Sequence, residues 1–174
     1  MLTAYTVGHS NREFDALVQL LRAHGVGAVA DVRRFPASRR LPQFNADVLA
    51  STLPSNEIEY VPFLELGGRR KPDPQSVNSG WQHPSFRAYA DYMQTQPFVD
   101  GLDRLMALAR RTPTAIMCAE AVPWRCHRRL IADALVVRGW RVLDITSPTA
   151  AKPHELTAFA KVSGTSITYP EATT

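Results

Sequence analysis

The arrangement of apolar residues along this chain most strongly limits what it can fold into. A short β-prone run over residues 4–8 ends at a glycine, and the next apolar residues recur at helical spacing until Gly25. The same alternation continues, with further strand candidates at residues 26–32, 58–64, 114–117 and 141–145. Strands that alternate with amphipathic helices are typical of βαβ units, whose parallel sheet is covered on both faces. The pattern therefore predicts one α/β domain over residues 1–174, with a mainly parallel sheet between helices in three layers, similar to Rossmann or flavodoxin folds.

Local signals predict where several elements begin. Ser10 and Glu13 have the spacing of a capping box for the first helix. Asn45 can cap a second helix that carries Leu49 and Leu53. The remaining predictions are helices that begin at Pro84 and Pro97, a helix over 123–137, a short helix over 155–161 and an edge strand over 166–169.

Residues 70–84 show no apolar period and are rich in Pro, Ser, Asn and Gly. We expect a loop there, and its position after a strand end makes it a candidate active-site loop. Trp81 lies in this segment and is expected to be an exposed aromatic residue, available to a lid or to a homodimer contact.

Composition excludes some classes of protein and favours others. No apolar run approaches the roughly 20 residues of a membrane helix, and the N-terminal residues lack the pattern of a secretory signal. We therefore expect a cytoplasmic protein whose two cysteines are free thiols. The formal net charge is +4, and only three of the 20 cationic residues are lysines. Arginine suits binding of phosphates and carboxylates, although a bias of codon usage gives the same composition.

Polar residues that can carry chemistry follow the predicted strands directly. His9 and Ser10 follow the first strand, Asp31 and Arg33 the second, Gly67, Gly68 and Arg69 the third, and Cys118 and Glu120 the fourth. Ligands of open parallel sheets bind beyond the carboxyl ends of the strands. These residues are therefore expected to converge on one crevice.

The same motifs resemble those of a known family. The segments Gly8-His9-Ser10, Asp31-Val32-Arg33, Leu66-Gly67-Gly68-Arg69 and Cys118-Ala119-Glu120 with Cys126-His127-Arg128 are similar to the domain-of-unknown-function family 488, as is the ending Ile167-Thr168-Tyr169-Pro170. The resemblance covers essentially the whole chain. It implies a compact α/β fold and strengthens the site assignment, but it implies no activity.

Two side chains compete for the central chemical role. Glu120 could act as a general base or nucleophile, with His9 as a proton shuttle and Asp31 as a second carboxylate. Each could instead be structural: Glu120 in a salt bridge, Asp31 paired with Arg33, and His9 in a backbone hydrogen bond.

The second reading makes Cys118 the nucleophile of a thiol enzyme, sulfur-transferring or redox, with Cys126 as the resolving cysteine. Cys118 could also be a small buried apolar residue. A zinc site that uses both cysteines with His9 and His127 is a weaker alternative, because the cysteine spacing fits no common zinc motif. No motif requires a cofactor.

Anion binding is the role expected for the remaining residues. Arg33, Arg69 and Arg128 are predicted to hold a phosphate-bearing substrate, with Ser10, Gly67, Gly68, Cys126 and His127 as further binding residues. Phe35, Phe44 and Trp81 lie among other arginines and could extend the surface to a nucleic-acid strand. The prediction is a hydrolase or transferase that acts on a nucleotide or nucleic-acid fragment, with a non-catalytic nucleotide- or nucleic-acid-binding module as another alternative.

Overall fold

In a computed structural model that describes residues 1–172, the chain forms a six-stranded sheet with helices on both faces. The strands of this sheet are β1 (Thr3–Gly8), β2 (Ala28–Asp31), β3 (Glu59–Pro62), β4 (Thr114–Cys118), β5 (Arg141–Ser147) and β6 (Ala150–Pro153). The helices are α1 (Phe14–Ala23), α2 (Ala46–Thr52), α3 (Pro84–Tyr92), α4 (Gln96–Arg111) and α5 (Arg128–Val137). Two short strands, β7 (Lys161–Ser163) and β8 (Ser166–Thr168), form a separate antiparallel pair.

The strand order is β3-β2-β4-β1-β5-β6, and only the β5–β6 pair is antiparallel. This is a three-layer α/β fold, as the alternating pattern predicts. Strand β4 lies between β2 and β1, which distinguishes the order from that of a Rossmann sheet. The loops after β1 and β4 are therefore neighbours at the carboxyl edge.

The two faces of the sheet carry different helices. Apolar residues of α1 and α2 pack on one face with Val29 and Met117. Those of α3, α4 and α5 pack on the other face with Ala30 and Ile116. Because side chains alternate along a strand, Cys118 shares the second face with Ile116. The last residue of β4 thus lies beside the helix that follows it.

The predicted capping box does not form. Helix α1 begins at Phe14, and its N-cap residue, Glu13, makes no side-chain cap hydrogen bond. Ser10 instead has a left-handed backbone with φ +52°, and its amide donates to the carbonyl of Ala119 at 2.9 Å. The serine extends the pairing of β1 with β4 rather than beginning a helix. Asn45 is the N-cap residue of α2, but its side chain accepts from the Ser38 amide.

Two predicted helices also differ. The segment 123–137 is interrupted, because a 3₁₀ turn at Pro123–Arg125 precedes α5 and leaves Cys126 and His127 between them. No helix forms over 155–161. The amide of Thr157 and the ring of His154 both bind the buried carboxylate of Asp133, which ties this segment onto α5 instead.

The C-terminal end covers the helical face. Strand β8 is not an edge strand of the main sheet, since its partner is β7, but Ile167 and Tyr169 are buried in the core on the α3–α5 side. Trp81 is buried against Phe159 and Tyr169, so the expectation of an exposed residue there is wrong. The segment 70–84 leads into α3 and is anchored by Asn78, which binds Asp91 and the Tyr169 amide.

Candidate functional site

A cavity of about 650 Å³ opens at the carboxyl edge of the sheet. The loops after β2, β3 and β4 and the start of α3 form its walls. Among the predicted site residues, Arg33, Gly68, Arg69, Cys118, Glu120, Cys126 and His127 line it. These residues come from four separate segments of the chain, as expected for the edge of a parallel sheet.

The two cysteines meet on the cavity wall. Cys118 ends β4 and Cys126 follows the 3₁₀ turn, and both are buried free thiols. The two thiols are near enough for each to shift the pKa of the other. The Cys118 sulfur also lies 3.6 Å from the carbonyl oxygen of Glu120. Cys126 accepts from the Arg128 amide at the beginning of α5, at 3.5 Å.

The environment separates the acidities of these thiols. Burial acts to raise the pKa of Cys118, but the neighbouring Cys126 thiol and the positive charge of Arg128 together lower that pKa. Burial and the neighbouring Cys118 hold the pKa of Cys126 well above its ordinary value. Both shifts favour ionisation of Cys118 before that of Cys126.

Arg128 lies behind the cysteine loop, the segment 118–127 between β4 and α5, rather than on the cavity wall. Its side chain is only 1% exposed, and Nη2 donates to the carbonyl oxygens of Glu120 and Ala121 at 3.1 and 3.0 Å. Within residues 1–172, Nε and Nη1 have no hydrogen-bond partner, and no carboxylate forms a salt bridge with this guanidinium. Arg128 is a buried positive charge that lies next to the Cys118 thiol, since both contact the Glu120 carbonyl.

His127 connects the cysteine loop to β2. Its Nε2 lies 2.9 Å from the carbonyl oxygen of Val32 and donates to it, which leaves Nδ1 as a lone pair 3.6 Å from the Cys126 sulfur. Burial lowers the pKa of His127 to about 4. The ring is therefore neutral at physiological pH.

Asp31 and Arg33 form a closed ion pair at the end of β2. The Asp31 carboxylate is buried and accepts Nε and Nη2 of Arg33 at 2.9 and 2.7 Å, and the Tyr60 hydroxyl at 2.6 Å. Arg33 Nη2 also donates to the Phe44 carbonyl. These donors occupy both oxygens of Asp31. Asp31 is therefore paired with Arg33, which is the structural alternative that the sequence analysis left open.

His9 is buried beside this pair rather than on the cavity wall. Its Nδ1 donates to the Ser10 carbonyl at 2.8 Å, so Nε2 accepts from Arg33 Nη1 at 3.3 Å, and the ring stacks on Phe44 with 4.4 Å between centroids. Burial lowers the pKa of His9. The structure does not bring His9 and Glu120 together on the cavity wall.

Glu120 and three arginines face the cavity with exposed side chains. The arginines are Arg34, Arg69 and Arg125, and none of them forms a salt bridge with a carboxylate in the described part of the chain. Arg69 is also held in the left-handed region at φ +58°. Non-glycine residues in this region carry strain, which concentrates at functional sites.

Gly67 and Gly68 approach protein atoms closely. A Cβ on Gly67 would lie 3.0 Å from Cα of Arg34, and a Cβ on Gly68 would lie 3.2 Å from Nδ1 of His127. Gly68 lines the cavity, whereas Ser10 is held against the loop after β4 by its backbone. His83 is the part of the predicted 70–84 loop that lines the cavity.

Two exposed aromatic side chains line this site: Trp124, which sequence reasoning missed, and Phe35, which it assigned to a possible nucleic-acid surface. Trp124 is 59% exposed and lines the cavity from the 3₁₀ turn, and Phe35 is 64% exposed and lines it from the segment after β2. The other two aromatic residues considered with Phe35, Phe44 and Trp81, are buried. The spacing of apolar residues could not distinguish the exposed aromatic residues from the buried ones, because all of them lie outside the regular α-helices.

Two general features bear on function. From Met1 to Ala172, no group of three or more His, Cys, Asp or Glu side chains is arranged to hold a metal ion. Over the same residues, no helix combines the length and the apolar character that crossing a membrane requires.

Comparison with known proteins places the chain in a family. The family model described as domain of unknown function DUF488 matches residues 13–135, which run from α1 to α5 and include the cysteine loop. No curated protein and no solved structure matches the chain. Since the match spans well over half of the sequence and most of the cavity wall, the chain belongs to the DUF488 family.

Proposed function

We propose that this protein is a thiol-dependent enzyme, of the sulfur-transfer or redox type, in which Cys118 is the nucleophile and Cys126 its partner. The substrate is an anion held in the cavity by Arg34, Arg69 and Arg125. The reading with Cys118 is favoured over the one with Glu120 and His9 because the two cysteines share the cavity wall, whereas His9 is buried outside it.

The observation that carries this proposal is the buried guanidinium of Arg128. A buried charge is costly unless an opposite charge or full hydrogen bonding compensates it. Arg128 is 1% exposed and has unbonded nitrogens, and no described carboxylate pairs with it. The Cys118 thiol donates to the same carbonyl oxygen as Arg128, so the two groups are neighbours, and ionisation of Cys118 would supply the missing negative charge beside Arg128.

The proposed chemistry uses the opposite shifts in the pKa values of the two cysteines. The Cys118 thiolate uses an electron pair to form a bond with the electrophilic atom of the substrate, and the leaving group departs with the bonding pair and takes the Cys126 proton. In sulfur transfer, an acceptor nucleophile then displaces the sulfur from Cys118. In the redox form, the Cys126 thiolate attacks the Cys118 sulfur, and the substrate fragment bound to that sulfur leaves with the bonding electron pair and is reduced. The resulting disulfide is reduced by a thiol reductant, which restores the dithiol. Free thiols of this kind suit the cytoplasm.

A second candidate keeps Glu120 as the catalytic group on a phosphate-bearing substrate. The observation in its favour is that Glu120 is the carboxylate on the cavity wall and forms no salt bridge in the described residues. Under this reading the cysteines are packing residues, and the cavity could equally serve a binding module.

The pH dependence of iodoacetamide labelling tests the thiol proposal. In the folded protein, with labelled sites read by mass spectrometry, we expect Cys118 to react well below its reference pKa of about 8.5 while Cys126 lags behind. Cys126→Ala removes the neighbouring thiol that lowers the pKa of Cys118, and labelling of Cys118 at pH 7 should slow by about tenfold.

Cys118→Ser is the matched control, because Cys126 should stay unreactive in it at pH 7. If Cys118 reacts only under unfolding conditions, or titrates like an ordinary thiol, the thiol proposal is wrong and the Glu120 reading is preferred.

A further inference from the structure

Two large aromatic side chains line the cavity but are not part of the hydrophobic core. Phe35 and Trp124 are 64% and 59% exposed, although most of the other aromatic residues are buried or half-buried. Both line the same cavity as the cysteines. An exposed aromatic face on a cavity wall offers a stacking surface for a planar ligand.

Arginines accompany each of these aromatic residues. The guanidinium carbon of Arg34 lies 5.8 Å from the Phe35 ring centre, and that of Arg69 lies 5.4 Å from it. Arg125 follows Trp124 in the chain and lines the same cavity. Two like charges against one ring repel each other, and an anion between them would relieve that repulsion.

The charged side chains on the cavity wall indicate that the ligand also carries an anionic group. Arg33 is neutralised by Asp31, which leaves Arg34, Arg69 and Arg125 against the single carboxylate of Glu120. An excess of guanidinium groups without carboxylate partners favours phosphate, which arginine binds through paired hydrogen bonds. Arg69 keeps a strained backbone at this position, φ +58°, as residues at binding sites often do.

We propose that the cavity binds a nucleotide, whose base stacks on Phe35 and Trp124 and whose phosphate lies among Arg34, Arg69 and Arg125. The inference rests on the proposed function in that it names the substrate class of the same site. A volume of about 650 Å³ is in the range of small-molecule sites, about 300–1,000 Å³. The nucleotide could be free or part of a single strand, and the test separates these sources.

Calorimetric titration of the full chain tests the inference with four probes: adenosine 5′-monophosphate, ribose 5-phosphate, adenosine and a single-stranded octanucleotide. We expect adenosine 5′-monophosphate to bind at least about tenfold more tightly than ribose 5-phosphate, because the latter has no base to stack. If the octanucleotide binds more tightly than adenosine 5′-monophosphate, and with a steep salt dependence, the ligand is a nucleotide within a single strand.

Two variants test whether Phe35 and Trp124 supply the affinity that depends on the nucleotide base. Phe35→Ala and Trp124→Ala should each weaken binding of adenosine 5′-monophosphate, or of the octanucleotide, by about five- to 100-fold and leave ribose 5-phosphate unchanged. Val162→Ala is the control, because Val162 is an exposed apolar residue on β7, outside the cavity lining. Both aromatic side chains are exposed, so circular dichroism should show an intact fold.

The inference is overturned if ribose 5-phosphate binds as tightly as adenosine 5′-monophosphate, or if neither aromatic variant changes binding of any nucleotide probe. Its failure is separable from that of the thiol proposal. Iodoacetamide labelling of Cys118 needs no nucleotide, so a reactive Cys118 in a protein that binds none of the probes overturns this inference alone, whereas nucleotide binding with an unreactive Cys118 overturns the thiol proposal alone.

Discussion

At the scale of single residues, the site contains side chains whose environments would be unfavourable without a function. Arg128 is a buried cation without a carboxylate partner in the described chain, and Arg69 is a bulky residue in a left-handed backbone. Gly67 and Gly68 precede Arg69, yet the residue with positive φ is the arginine. Such positions indicate that side-chain chemistry was kept at the expense of local stability.

The strain at Arg69 leads to a prediction in which stability and binding change in opposite directions. Arg69→Gly should raise the free energy of unfolding by up to about 1 kcal/mol, because glycine adopts φ +58° without a Cβ clash. The same variant should weaken binding of adenosine 5′-monophosphate and of ribose 5-phosphate alike. Urea unfolding and calorimetric titration measure the two effects.

Glu57 provides the matched control, since it has φ +62° and does not line the cavity. Glu57→Gly should give a similar gain in stability with no change in affinity. A loss of stability in Arg69→Gly, or unchanged affinity for both phosphates, would contradict the prediction.

At the scale of elements, the site depends on contact between the loops after β1 and β4. The amides of His9 and Ser10 donate to the carbonyls of Cys118 and Ala119 at 3.0 and 2.9 Å. Gly8 lies at the point of closest approach, where an added Cβ would be 1.7 Å from the Glu120 carbonyl oxygen. That oxygen is the one that contacts both Cys118 and Arg128, so the glycine positions the cysteine loop.

Gly8→Ala should therefore destabilise the protein by about 3 kcal/mol or more, because backbone atoms of the opposite loop must move. Gly25→Ala is the comparison: its backbone is left-handed at φ +70°, but no atom lies within 4 Å of the added Cβ, so it should cost only about 1 kcal/mol. Urea unfolding compares the two variants. Equal losses would show that the close contact at Gly8 does not hold the loops together.

At the scale of the whole molecule, His127 joins the cysteine loop to β2 across 95 positions of sequence. Because its folded pKa of about 4 lies below the ordinary 6.5, the unfolded chain binds the proton more readily. The stabilisation by neutral His127 is thus complete above about pH 6.5 and is lost as the pH falls toward 4. The shift corresponds to about 3 kcal/mol in total.

We expect the free energy of unfolding to fall between pH 6.5 and 4, and His127→Gln to reduce that slope, since glutamine can donate to Val32 but does not titrate. Urea unfolding of both proteins at several pH values measures this. If the slopes agree, another group, such as His9, whose pKa burial also lowers, causes the loss.

Local patterns in the sequence are enough to predict the α/β architecture and the edge of the sheet that holds the site. Apolar periods of two and 3.6 residues report which faces are buried, and every parallel strand ends at the same edge, so the convergence of Arg33, Gly68, Cys118 and Glu120 follows from local pattern. Folding of the whole chain brings Cys118 beside Cys126, buries Arg128 behind them and places His9 against Arg33, and no local pattern predicts these contacts. These contacts depend on how the segments between strands pack against each other. Side-chain burial and hydrogen bonding between distant segments leave no periodic trace in the sequence.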